Sequence, residues 1–349
     1  MRRAALGFVL AVSTPWSAAG EPPLAAAPAD AVPMQTIVVT GVQPGPGLWK
    51  VSKGDHVLWV LGTLSPLPEK MQWRADEVGE RIAQSQVLLK SPSFDVKADT
   101  GFFGKLALVP SLIGVRNNPD GKKLEDVVPV EDYARWKSLK ERYIGRSGKV
   151  EKWRPMFAAG ELFGAAIRKN GMTGGARLVN ERIDEFAKRA NIKPTRVTYT
   201  LKVEKPRDVV KAFKKSSLDD LDCFEKTLDR IDTDIGAMKQ RANAWATGDV
   251  DALRTLPYAS QYAACMKAIQ NVSVIRDAGD IDALVRQAWL DAATKALEAN
   301  QSTFALLSMD DIVGKSDYLG ALRARGYTVQ APDEQQDEPT PDEAPAPQP

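Results

Sequence analysis

His56 is the only histidine in this chain of 349 residues, and Cys223 and Cys265 are its only cysteines. Imidazole and thiolate are the side chains that most often hold a transition metal or attack a substrate, so their scarcity limits the chemistry at once. A cysteine nucleophile needs a base, and His56 lies far from both cysteines in sequence. The remaining candidates are Ser65 and the pair Asp310-Asp311. Two carboxylates beside a hydroxyl could work as an acid/base pair or hold a hard cation such as Mg²⁺ or Ca²⁺. A plainer reading competes: an aspartate pair ahead of a helix running towards Lys315 caps it by accepting its free N–H groups. His56 reads as a surface or hairpin residue rather than a ligand.

The elements that must position these residues fall into an ordered series. Residues 1–19 read as a signal peptide: Arg2-Arg3, an apolar run from Ala4 to Val12, then Ser17-Ala18-Ala19. That run is too short to span a bilayer, and no later one approaches about 18 apolar residues, so no transmembrane segment is expected. The expected location is secreted or periplasmic. Residues 20–45 form a flexible leader containing one strand-prone stretch, Thr36–Gly41, which reads as an edge strand and also resembles the TonB box of outer-membrane receptors. A folded domain is expected over 46–330, and residues 331–349 read as a disordered acidic, proline-rich tail.

Setting aside the tail's six acids and Arg2 and Arg3 leaves 45 basic against 39 acidic residues. The bases are dispersed among acids, which is a solvated surface and not a nucleic-acid footprint. No glycine-rich phosphate loop occurs. Lys211-Ala212-Phe213-Lys214-Lys215 is too short on its own to mark a lipid or polyanion site.

Within the domain, Leu48–Val51 and Val57–Leu61 are strands around a Lys53-Gly54-Asp55 turn. A helix over 74–85 and a strand at Val87–Leu89 follow. Helices are expected over 131–144, 152–169 and 176–190, then a strand over Thr195–Leu201 with alternating Val197, Tyr199 and Leu201. A long helix over 217–246 carries Leu218, Leu221, Phe224, Leu228, Ile231, Ile235 and Met238 on one stripe. The chain then turns at Gly248 and runs back past Cys265, so the two cysteines meet at the open end of a helical hairpin. In an oxidising compartment they form one disulfide; two buried free thiols are the other reading. A helix over 281–299, a strand at Thr303–Leu307, a helix over 315–325 and a strand at Gly326–Val329 complete the domain. The fold class is α+β: a small central sheet built from N- and C-terminal strand–helix units, with a large helical middle section. Trp49, Trp59, Trp245 and Trp289 are expected in the core.

Four stretches together resemble the TraB/GumN family of secreted bacterial proteins, relatives of the Tiki-type metalloproteases. The first is Gly47-Leu48-Trp49-Lys50-Val51 with Leu61-Gly62-Thr63-Leu64-Ser65-Pro66-Leu67-Pro68, against the family's GxLWKV and LGTIHxLP. The second is Trp73 and its following helix. The third is Ala244-Trp245-Ala246-Thr247-Gly248-Asp249, against AWxxGD. The fourth is Phe304 to Val329, against a strand, GxGHL and a helix ending in a Gly-Tyr-x-Val strand. The motif positions retained are Gly62, Thr63, Trp245, Gly248 and Asp249.

The resemblance implies terminal strand–helix units joined in one sheet and, in active relatives, a metal held by histidines at strand ends. Here the GTIH histidine is replaced by Ser65 and the GxGH segment by Leu307-Ser308-Met309-Asp310. Lys90 or Ser91 stands where an acid often follows the Val87–Leu89 strand. Glu204 is the one acid near its expected place. Zinc is therefore not expected, and no cofactor is; a hard divalent cation at Asp310, Asp311 and Ser65 is the alternative. The expected function is a family member that has lost metal-dependent hydrolysis and acts by binding a peptide, a glycan or an envelope partner. The alternatives are a residual hydrolase built on Ser65, Asp310 and Asp311, and an interaction protein acting through its termini.

Overall fold

The protein is described by a computed structural model over residues 42–98, 101, 108–256 and 261–335. The expected signal peptide, the Thr36–Gly41 stretch and the tail from residue 336 onward lie outside the described residues.

β1 (Leu48–Lys53) and β2 (His56–Thr63) make the expected hairpin. Gly54 turns it at φ 63°, a left-handed conformation that favours glycine. β4 (Val87–Leu89), β8 (Ser302–Ser308) and β9 (Thr328–Gln330) join them in one sheet of order β4-β8-β2-β1-β9. β8 runs parallel to both β2 and β4, and β1 is antiparallel to both β2 and β9. The last six residues of β2 and the middle five of β8 are all buried. Such continuous apolar runs suit strands covered on both faces. The terminal units thus share one sheet, and the fold is α+β.

Two shorter pairings lie outside it: β3 (Leu67–Pro68) with β6 (Met172–Thr173), and β5 (Ser93–Ala98) parallel to β7 (Thr198–Val203). The helices run in chain order. They are α1 (Asp76–Ala83), α2 (Val109–Leu112), α3 (Val130–Tyr143), α4 (Pro155–Lys169) and α5 (Arg177–Arg189). Then come α6 (Pro206–Lys215), α7 (Leu221–Thr233), α8 (Ile235–Thr247), α9 (Val250–Thr255) and α10 (Gln261–Gln270). The last are α11 (Ser273–Arg276), α12 (Ile281–Ala299), α13 (Met309–Val313), α14 (Tyr318–Ala324) and α15 (Pro332–Gln335).

The main core packs α8, α12 and α14 on the sheet and includes Trp49, Trp59, Trp245 and Trp289, all buried as expected. A second core, around Trp136, Leu162, Phe224 and Leu228, holds the helical middle together. Each large side chain buried there contributes about 1.5–3 kcal/mol.

Several expectations need correction. The helix expected over 217–246 is two: α7 ends at Thr233 and α8 starts at Ile235. Asp234 sits at the break, and its carboxylate is held by Arg241, at 2.6 Å, and Arg230, at 3.5 Å. Leu218 precedes the helix and Leu221 is exposed, so the buried stripe starts at Phe224. The strand at Thr195–Leu201 shifts to β7, with Thr195 making only an isolated bridge to Leu89. The helix expected over 315–325 is preceded by a separate turn, α13, interrupted at Gly314.

The ordered chain also extends beyond 46–330 at both ends. Gln43 is buried and bridges Trp73, and the Gly45 N–H donates to Ala246 O at 2.8 Å. At the other end Pro332 is buried beside Gly47, and the Gln335 amide donates to Leu48 O at 2.8 Å. Composition alone concealed these two apolar-and-amide clasps.

Cys223 and Cys265 form a disulfide, closing a separation of 42 residues between α7 and α10. Among the described residues no helix is long and apolar enough to cross a membrane.

Candidate functional site at the strand ends

β2 and β8 lie side by side in parallel, with Thr63 opposite Ser308 where both strands end. The residues that follow each end are therefore brought to one edge of the sheet. After β2 come Leu64, Ser65 and a cis Ser65–Pro66 bond. After β8 comes α13, which opens with Asp310 and Asp311.

Three links hold the strand ends in place. Thr63 Oγ1 donates to Leu307 O at 3.1 Å. The Trp245 indole N–H donates to Gly62 O at 2.7 Å. Gly62 itself leaves no room for a side chain, because a Cβ there would collide with Met309 Sδ. Trp245 is in turn packed edge-on by Trp73, with ring centroids 5.3 Å apart. Beyond Trp245, Gly248 ends α8 at φ 72°, and Asp249 caps α9 by accepting the Ala252 N–H at 2.9 Å.

Of the residues singled out from sequence, Asp311 is the most committed. Ser308, not either aspartate, is the N-cap of α13; its Oγ accepts the Asp311 N–H at 3.0 Å. The Asp311 carboxylate answers by accepting from Ser308 Oγ at 2.7 Å and from the Ser308 N–H at 3.3 Å. This reciprocal capping box corrects the expectation of an aspartate cap: the helix begins at Met309, so both aspartates lie inside its first turn.

Asp310 makes no such bonds. Its carboxylate folds over Gly314, where a Cβ would press on Oδ1. Burial pushes its pKa up, and the charge of Arg230 opposes that rise. Burial raises Asp311 as well; the Ser308 bonds oppose it, and the charges of Asp310 and Asp282 add to it. Asp282, on α12, is raised by burial and by Asp280. Tyr318 is 4% exposed and its hydroxyl is raised by burial first and then by Asp311. Ser65 is exposed, and its hydroxyl lies beside Gly174, 4.0 Å from where a Cβ would stand. Ser65 and Asp310 thus leave adjacent strand ends, but no hydrogen bond joins them.

Sequence reasoning missed the cationic half of the site. Arg241 is 3% exposed and grips Asp234 with both terminal nitrogens, at 2.6 and 3.3 Å. Arg230 stacks on Phe163 at 4.8 Å and donates to Gln261 at 2.7 Å. Burial lowers its pKa, with Asp234 opposing. The signal for Arg241 was present: it falls on the buried stripe between Met238 and Trp245, at steps of three and four.

The remaining sequence candidates sit elsewhere. Lys90, just past β4, bonds Asp184 at 2.6 Å and Asn180 at 3.3 Å. Glu204 is exposed at the end of β7. His56 Nδ1 lies 2.8 Å from Leu297 O, so it ties the hairpin to α12 and not to the strand ends.

These donors do not fit a zinc ion. Ser65 is a neutral hydroxyl, Asp311 is occupied by its own cap, and Arg230 places a positive charge near Asp310. Among the described residues no three His, Cys, Asp or Glu side chains converge to hold a metal.

The retained motif residues thus all serve one place: Gly62, Thr63 and Trp245 bond the strand ends, and Gly248 and Asp249 shape the turn behind them. The TraB/PrgY/gumN family model matches residues 47–331, nearly all of the described fold. The chain belongs to the TraB/PrgY/gumN family. No curated protein and no solved structure matches it. In this TraB/PrgY/gumN member, the motif residues read from sequence build the scaffold around the strand ends.

Proposed function

We propose that this TraB/PrgY/gumN protein is exported, has lost metal-dependent hydrolysis, and works by binding a peptide at the strand ends. The observation that carries this reading is the capping box that commits Asp311 to Ser308 at the end of β8, beside a β2 end that leads to the neutral Ser65. The Asp310 carboxylate and the Arg230 charge that acts on it attract a dication less than the carboxylate alone would. They suit a ligand that presents an amine and a carboxylate, as a peptide does. A glycan or an envelope protein would use the same strand ends through hydroxyl or amide contacts.

Elemental analysis of the purified protein, followed by zinc titration with thermal melting, tests the reading. The expected result is no stoichiometric zinc and no zinc-dependent rise in melting temperature. Stoichiometric zinc together with peptide cleavage would overturn it.

A second reading is a residual hydrolase on Ser65, Asp310 and Asp311, which follow the adjacent ends of β2 and β8, with burial raising the pKa of both aspartates. A carboxyl group so shifted keeps its proton closer to neutrality and can serve as a general acid. On that reading Asp310→Asn abolishes a hydrolytic activity while the melting temperature stays the same or rises.

A further inference from the structure

A different part of the molecule goes beyond that reading. The β5–β7 ribbon leads on one side into the segment that ends in α2 and on the other into α6. Residues 108–116 include five aliphatic side chains, one base and no acid. Three of those aliphatics are open to solvent: Val109 at 57%, Leu112 at 48% and Ile113 at 74%. Exposed aliphatics clustered in one short segment mark a surface that contacts something apolar.

The groove beside them has a volume of about 570 Å³. Its lining carries three cations, Arg116, Lys149 and Lys152, and no carboxylate. Arg116 stacks on Trp153 at 5.1 Å, and Lys149 and Lys152 are exposed and make no ion pair among the described residues.

α6 packs against α2 and adds to the same character. None of its residues is fully buried; Val209, Val210 and Phe213 are half-covered, and residues 202–217 hold six bases against two acids. The buried Arg154 keeps this lobe attached. Its guanidinium donates to Asn117 O, Phe213 O and Ser216 O at 3.2, 2.6 and 2.8 Å and stacks on Phe213. The lobe is therefore fastened from within through backbone carbonyls, which leaves its aliphatic and cationic side chains outside.

We infer that the α2–α6 lobe docks on an anionic lipid surface, with Leu112 and Ile113 entering the interface and Arg116, Lys149 and Lys152 receiving lipid phosphates. Charge complementarity selects the occupant: the groove is cationic without a compensating acid. The aliphatics distinguish a bilayer from a soluble acidic peptide, because a polyanion in water gains nothing from an exposed Ile113. Interfacial binding combines these two contributions, buried apolar area and attraction of bases to anionic headgroups.

Co-sedimentation of the chain from Gly20 onward with lipid vesicles tests this, since the apolar run at the start of the sequence is then absent. The protein should pellet with vesicles containing phosphatidylglycerol and not with phosphatidylcholine alone, and rising salt should release it. Lys149→Glu with Lys152→Glu should weaken partitioning roughly tenfold or more. Ile113→Asp should weaken it too, and neither change should move the melting temperature, because the side chains are exposed. Equal binding to both vesicle types, no binding to either, or undiminished binding by the charge-reversed variant would each overturn the inference. So would binding of soluble polyglutamate by a protein that ignores anionic vesicles. The lipid and salt comparisons need no substitution, so they decide the matter even if a variant misfolds.

Discussion

The indole N–H of Trp245 donates to the carbonyl of Gly62 at 2.7 Å, joining residues 183 apart in sequence at the edge of the sheet. This bond satisfies a carbonyl at the buried end of β2. Trp245→Phe should therefore cost about 2–4 kcal/mol, from an unpaired carbonyl and a smaller ring in a tight site. Chemical denaturation measures it; a loss below about 0.5 kcal/mol would show that the bond is not holding the strand end.

Gly62 faces Met309 so closely that a Cβ would collide with Sδ. Gly62→Ala should destabilise by about 1–3 kcal/mol through overpacking. Adding Met309→Ala should recover part of that loss, giving a favourable coupling in a double-mutant cycle. Strictly additive losses would place the strain elsewhere.

Burial holds the Asp310 pKa above that of an unfolded aspartate. Its contribution to stability is therefore complete below the unfolded value of about 3.9 and is lost as pH rises through the higher folded value. Asp310→Asn removes that titration, so the variant should melt about 1–2 °C higher at neutral pH. The gain should disappear once the medium is more acidic than the unfolded aspartate pKa. A gain that persists in acid would mean that burial of the charge is not its source.

Asp234 bonds Arg241, which is 3% exposed. Asp234→Ala strips a buried guanidinium of its carboxylate and should cost about 3–5 kcal/mol. Asp234→Asn, which keeps the oxygen acceptor, should cost clearly less. Equal losses for the two variants would assign the effect to the α7–α8 break and not to the charge.

Reducing the Cys223–Cys265 bond reopens a separation of 42 residues. The chain-entropy model gives a loss of roughly 4 kcal/mol. Denaturation with and without a thiol reductant reads it directly, and coincident curves would refute the estimate.

The sheet was legible in sequence because β2 and β8 are long apolar runs bounded by turn residues, and their pairing followed from the family motifs. α12 matched its expected span because Asp280 caps it and apolar positions recur along its length. The α7–α8 break was not legible, since the apolar stripe runs through Asp234 without interruption. The partners of that carboxylate, Arg230 on α7 and Arg241 on α8, are local in sequence, but spacing does not show that both turn towards Asp234. The site divided in the same way. Ser65, Asp310 and Asp311 could be placed at strand ends from motif positions, but Ser308 as the cap and Arg230 as the neighbouring charge depend on side-chain directions that spacing does not encode. The α2 segment shows the reverse case: its aliphatic composition suggests a core element, and only the structure shows those side chains facing outward.

The pairing of β2 with β8 sets an order on how this chain can acquire its shape. Val57 lies opposite Ser302, so the middle strand of the sheet has no parallel neighbour until nearly all of the described chain has been synthesised. Closing so long a loop is slow compared with forming the helical middle, whose contacts are mostly local. The second core around Trp136 and Phe224 can therefore assemble while β1 and β2 remain an unsupported hairpin. A chain cut anywhere before Ser302 would keep helices yet lack β8 and β9, and the two strand ends would meet only in the finished molecule.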